Sequence, residues 1–413
     1  MGSMIPAYDA TGKQGMGLYI HIPFCVSKCA YCDFLSFEGA GGDVHRQYVN
    51  ALISEMRYAM AGEGDLGLFR RNNYSIDTVY IGGGTPTALA SPLLCEILRE
   101  VQRFGFTQGA APGAGLAPDT EITLEMNPCT NQLSALAEYG RYGVNRLSIG
   151  LQAWQDEFLR GLKRAHTAAE FTKTMEAARL AGIDNINVDL MFGLPGQTLE
   201  NWRESIARVI AHGPAHISAY SLTPAENTPL WDDLEAGKVN LPCETTDRAM
   251  YHEAIRVLAG AGYGHYELSN FAKPGRESRH NIDCWLRKPY IGFGLGAHSF
   301  DGKRRWRNTA DMQRYLDVWG SPAKGVCTRE DLEMLSRRDA MAETMFLGLR
   351  MTQGVSIHGF YQQFGEHIAD CYGRELEILI AKGLIRRTGE RVALTTLGLD
   401  LANQVFEAFL GGG

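Results

Sequence analysis

The sequence predicts an α/β protein built on a parallel sheet, followed by a small helical unit with a hairpin. Two observations carry this. From residue 18 to about 225, short β-branched apolar runs alternate with longer segments of helical period, and repeated β–α alternation produces a parallel sheet covered by helices. After about residue 330 that alternation stops. Six units are compatible with an open doubly wound sheet or a partial barrel, and periodicity does not separate the two.

The predicted strands are Leu18–Ile22, Thr78–Gly82, Glu121–Met126, Arg146–Leu151, Asn187–Met191 and His216–Leu222. Predicted helices lie over Tyr48–Ala59, Leu93–Phe104, Asn131–Tyr139, Ala168–Ala181 and Leu199–Ala211. Thr107–Thr120, rich in Gly, Ala and Pro, reads as a surface loop. Further on, helices are expected over Met334–Arg350, Ser356–Phe364 and Glu375–Ala381. A hairpin of Leu384–Arg387 and Val392–Leu394 follows, then a last helix from Leu397. This tail, 331–413, resembles a winged helix. Residues 332–413 hold eight Lys/Arg against ten Asp/Glu, which favours packing or partner docking over DNA binding. Residues 1–16 form a polar tail, and 17–330 the main domain.

Composition bounds the function. Apolar residues make up 45% and charged residues 21% of the chain, a globular balance with room for a large core. No window approaches the roughly 18 uninterrupted apolar residues of a membrane helix, and no secretory pattern opens the chain. A cytoplasmic protein without stable membrane insertion is expected. The net charge of −7 argues against a broad nucleic-acid surface. Nine cysteines, three of them within eight residues, describe one metal site rather than a disulfide framework.

That site is Cys25-Val26-Ser27-Lys28-Cys29-Ala30-Tyr31-Cys32, directly after the first strand. C-x₃-C-x₂-C lets three thiolates reach three corners of an iron–sulfur cubane. Such clusters usually take four cysteines, so three leave one iron open. Zinc would need a fourth ligand such as His21, and the distant second pair typical of zinc sites is absent from the sequence. Ligands of parallel α/β folds gather at the C-terminal ends of the strands. There the sequence places Gly82-Gly83-Gly84-Thr85, Glu125, Gln152, Asp189 and Thr223.

The triplet, with Tyr19 before it and Tyr31 inside it, resembles the radical S-adenosylmethionine (SAM) superfamily. The resemblance implies a partial (βα)6 barrel, a [4Fe–4S] cluster on Cys25, Cys29 and Cys32, and SAM on the open iron. Within the coproporphyrinogen-oxidase-like branch it implies a SAM site from Tyr19, Gly83, Gly84, Thr85, Glu125, Gln152, Arg164 and Asp189. Segments such as Arg146–Gln152, Asp189–Thr198 and Tyr266–Phe271 are similar to the HemW group, understood as heme chaperones. This implies heme as a further cofactor, heme-accepting proteins as partners and an electron donor for the cluster. Phe34 stands where the true oxidase has a further cysteine, so the oxidase reaction is not expected. No residue is assigned as catalytic. The group's heme-associated His-Asn-x-x-Tyr-Trp motif reads His280-Asn281-Ile282-Asp283-Cys284-Trp285 here. His280 and Cys284 are the candidate heme ligands, and His298 a further candidate site residue. Lys303–Arg307 is the densest basic cluster, read as a solvated run or a seat for porphyrin propionates. The rival reading is a porphyrin-acting radical SAM oxidase or a class C methyltransferase.

Overall fold

The computed structural model describes residues 14–62, 74–105, 115–128, 133–320 and 328–410. The N-terminal tail before Gln14 and most of the predicted Thr107–Thr120 loop lie outside the described residues.

Six parallel strands form the predicted barrel segment: β1 (Gln14–Ile22), β2 (Tyr74–Gly83), β3 (Glu121–Met126), β4 (Arg146–Gln152), β5 (Asn185–Phe192) and β6 (His216–Ser221). They pair in chain order. Six more strands extend the sheet: β7 (Gly264–Glu267), β8 (Asn270–Ala272), β9 (Tyr290–Phe293), β10 (His298–Phe300), β11 (Arg304–Asn308) and β12 (Arg329–Met334). The full order is β12-β11-β10-β9-β1-β2-β3-β4-β5-β6-β8-β7. The sheet is curved but open, a partial barrel, because β6 is followed by antiparallel β8 rather than by a return to β1.

Strand alternation makes the interior polar. Leu147, Ile149 and Leu151 of β4 are wholly buried toward the helices. Arg146, Ser148, Gly150 and Gln152 face inward, as a two-residue period requires. The helices start where their sequences cap them. Thr198 accepts from Asn201 N at 3.2 Å, and the helix runs Leu199–Ala211 as predicted. On that helix Trp202 is wholly buried, and its indole donates to Met250 O at 2.8 Å.

A second core, from Met341 to Phe409, lies among the C-terminal helices and a three-stranded antiparallel sheet of Val355–Ser356, Arg391–Leu394 and Ile385–Thr388. The expected Met334–Arg350 helix is corrected here. Arg329–Met334 is the edge strand of the large sheet, and the helix begins at Arg337 after a Ser336–Asp339 capping box. The charges of Arg329–Met334 pair across the strands, Arg307 with Asp331 at 2.7 Å among them, which stabilises a strand despite its helix-forming composition. Among the described residues no helix is long and apolar enough to cross a membrane.

Candidate functional site

A cavity of about 420 Å³ opens at the C-terminal ends of β1–β6. Cys25, Cys29 and Cys32 line its mouth, all free thiols and partly buried. Burial pushes the Cys25 and Cys32 thiols up. Among the described residues no three His, Cys, Asp or Glu side chains are grouped around one ion position. A cubane needs no such convergence, since each thiolate bonds a different iron.

The glycine turn is strapped onto the cysteine loop. Gly84 N donates to Ile22 O at 2.9 Å and Thr85 N to Phe24 O at 2.7 Å. A Cβ on Gly84 would lie 2.6 Å from Phe24 O and 3.0 Å from Cys25 Sγ. Gly83 has φ 118°, a conformation glycine adopts without strain. In Gly84→Ala the backbone of the cysteine loop must therefore move. Reconstituted iron is expected to fall by half or more while the far-UV circular dichroism stays that of wild type; full iron loading would refute this.

Arg164 ties the mouth together. It donates to Cys29 Sγ at 3.3 Å, and to Asn127 Oδ1 and Gly150 O at 2.6 Å each, while its Nε is buried without a partner. Gln152 sits at φ 67° with Oε1 buried and unpartnered. Glu125 accepts from Tyr80 OH at 2.7 Å and from Gly83 N at 3.2 Å, and burial raises its carboxyl to about 7. Asp189 accepts from Ser148 Oγ at 3.1 Å and Asn187 Nδ2 at 2.8 Å. Thr85 and Thr223 are on the wall. Tyr19 stands beside Tyr80, ring centroids 6.4 Å apart, with its OH 2.9 Å from His21 Nδ1. Burial and the Glu125 charge raise its phenol.

The chain matches the radical SAM superfamily over residues 19–209 and the HemN C-terminal domain over 335–401. It is 36% identical to "Heme chaperone HemW" of Bacillus subtilis (strain 168), covering 95% of this chain and 98% of that protein. It is also 36% identical to "Heme chaperone HemW" of Escherichia coli (strain K12), over 96% and 98%. The chain belongs to the HemW group of the radical SAM superfamily. A mouse relative, "Radical S-adenosyl methionine domain-containing protein 1, mitochondrial", is 33% identical over 98% of this chain and 91% of its own. The solved coproporphyrinogen III oxidase (HemN) from Escherichia coli shares the fold, with TM-score 0.79 and 22% identity over 98% of this chain and 91% of that one.

Against that HemW background, Asn281 of the heme-associated motif lines the cavity, while His280 and Cys284 are not part of its wall. His280, on the short helix Arg279–Trp285, is buried against the inner face of β2, its ring 5.3 Å from that of Tyr80 and its Nδ1 2.9 Å from Thr78 Oγ1. Burial and the Arg146 charge lower its pKa to about 4, so the ring is neutral. Burial pushes the Cys284 thiol up to about 12, which disfavours a thiolate at neutral pH. His298 is exposed on β10, in the antiparallel extension and away from the cavity; its candidate role at the ligand site does not fit this position. The basic cluster is not an open anion seat either. Arg304 pairs with Asp301, Arg305 with Glu343 and Arg307 with Asp331, each at 2.7 Å.

Several cavity residues escaped sequence reading: Tyr80, Asn127, Arg146, Asn187 and His216. Most have a period-two signal. Arg146-x-Ser148, Asn187-x-Asp189 and His216-x-Ser218 are polar at alternate positions of otherwise apolar strands. Attention to strand ends alone passes over the strand beginnings.

Proposed function

We propose that this chain is a heme chaperone of the HemW type, which holds a [4Fe–4S] cluster and SAM and delivers heme to heme-accepting proteins. The observation that carries the reading is the meeting of three free thiols, the Gly83–Gly84 turn and Arg164 at one mouth, in a chain that matches HemW proteins almost end to end.

Cys25, Cys29 and Cys32 fit three corners of the cluster. Arg164, beside Cys29 Sγ, offsets the negative charge of the thiolates. Gly83 and Gly84 let His21 and the cysteine loop pack where a Cβ would stand, which holds that loop at the mouth, and the unpartnered Gln152 Oε1 would accept from an ammonium or hydroxyl group of SAM. Glu125 and Asp189 close the wall on the polar part of the same ligand. When bound, the cluster and SAM supply one-electron reductive chemistry, fed by an electron donor. Phe34 is 65% exposed at the rim, where the oxidase would have a further cysteine; this favours carriage of heme over decarboxylation of a porphyrinogen.

The test is anaerobic reconstitution followed by SAM and then heme, monitored by electron paramagnetic resonance and absorbance. The expected result is a cluster signal that SAM perturbs, a Soret band on heme addition, and transfer of that heme to an apo-hemoprotein. Formation of 5′-deoxyadenosine stimulated by a porphyrinogen would favour an enzyme instead. In this reading His280 supports β2 rather than the iron, so the Soret band persists in His280→Ala; a lost band with the fold retained would make it a ligand.

A further inference from the structure

Arg146 is the first residue of β4 and is 2% exposed, yet it lines the inner wall of the cavity. Its guanidinium makes a long hydrogen bond, 3.5 Å from Nη1 to Thr123 Oγ1. Nε has no partner, and among the described residues Arg146 forms no ion pair. Burying a guanidinium without a counter-anion is strongly unfavourable.

The Arg146 charge acts on the Glu125 carboxyl, lowering its pKa against the burial that raises it, but among the described residues no carboxylate comes within ion-pair distance of Arg146. Glu125 is turned to Tyr80 OH and Gly83 N. Asp189 is held by Ser148 and Asn187. Asn187 is itself fixed by the His216 ring, which donates from Nδ1 to Asn187 Oδ1 at 2.6 Å while Tyr266 OH donates to Nε2 at 2.8 Å. This chain of hydrogen bonds locks Asp189 in place. The Arg146 charge is nonetheless felt around it, lowering the pKa of both His216 and His280.

We propose that Arg146 is a carboxylate receptor: its guanidinium fork takes the carboxylate of an organic acid whose body occupies the cavity above it. Guanidinium and carboxylate match as paired hydrogen bonds. The position separates this carboxylate from that of SAM. Gln152 and the cysteine mouth lie at the opposite end of β4, about 20 Å along an extended strand. A carboxylate seated by the cysteine loop and one seated on Arg146 would thus occupy the two ends of the β4 wall of one cavity. The floor site serves a second, acidic ligand held beneath SAM. It relies on the SAM reading only to tell the two ends apart, and not on heme.

The experiment uses the reconstituted holoprotein with SAM present, and propionate as the probe in saturation-transfer NMR. Propionamide is the neutral isostere. The expected result is transfer to propionate and little to propionamide, with propionate affinity falling about tenfold or more in Arg146→Met. Arg146→Lys keeps the charge but loses the fork, and is expected to bind propionate at least about threefold more weakly than wild type. If Arg146→Met does not fold, the Lys variant decides. Absent propionate binding in wild type, equal binding of propionamide, or affinity unchanged in a folded variant each overturns the proposal. The cluster and SAM signals are read in the same samples, so failure at the floor is distinguishable from failure at the mouth.

Discussion

After anaerobic reconstitution of Cys29→Ala, bound iron and the visible absorbance of the cluster are expected to fall to background. With one thiol gone only two protein ligands face the cubane, too few to hold it against loss to solvent. The fold does not depend on this thiol. Cys29 lies on a loop, partly buried, and Arg164 keeps its bonds to Asn127 and Gly150 when Cys29 Sγ is removed. The thermal midpoint of the apo form should therefore correspond to a stability change below about 1 kcal/mol. Cys95→Ala is the matching control. Cys95 is 2% exposed in the helix Ser91–Gln102, far from the cysteine loop in sequence and outside the cavity lining. It should keep its iron while losing some stability to the small cavity left behind. Iron retained in Cys29→Ala, or lost equally in Cys95→Ala, would overturn the assignment.

The two variants also mark what the sequence could and could not convey. The cysteine triplet is local: spacing alone puts three thiols on one loop, and the strand before it says where that loop sits. Glu121–Met126 and Leu199–Ala211 were legible to the residue because their apolar periods and caps agree. Arg146 was not. Its alternation with Ser148 puts the two on one face of the strand, but does not say whether that face meets solvent or an interior; only the curvature of the sheet turns it inward. Lys303–Arg307 misled for the opposite reason. Its charges are dense in sequence, but their neutralising partners Asp331 and Glu343 come from β12 and a C-terminal helix. Long-range pairing of this sort leaves no periodic trace. His280 illustrates a third case, where a motif names a residue but not the direction its ring takes.

Glu343 carries the largest expected effect on stability. It sits in the helix Arg337–Gly348, 6% exposed, and its carboxylate bridges two guanidinium groups. Arg287 Nε donates to it at 2.8 Å and Arg305 Nη1 at 2.7 Å. Both arginines also lie over the Phe300 ring, at 5.1 and 5.5 Å. This carboxylate joins the C-terminal helices to the antiparallel extension of the large sheet. The Arg287 side chain is only 5% exposed. Glu343→Gln therefore leaves a buried cation uncompensated, and is expected to cost about 3–5 kcal/mol. Arg305→Met should cost far less, about 1 kcal/mol, because that arginine is 34% exposed and water screens its pairing. Urea unfolding followed by C-terminal and barrel probes measures both. Replacing the pair together, Arg287→Met with Glu343→Leu, should recover most of the loss, since well-packed apolar groups of similar size often match a buried ion pair. A double variant as unstable as Glu343→Gln would mean that the geometry around Phe300, rather than charge, holds this junction. A Glu343→Gln cost below about 1 kcal/mol would mean that water reaches Arg287 and that the two parts of the chain are joined by their apolar contacts instead.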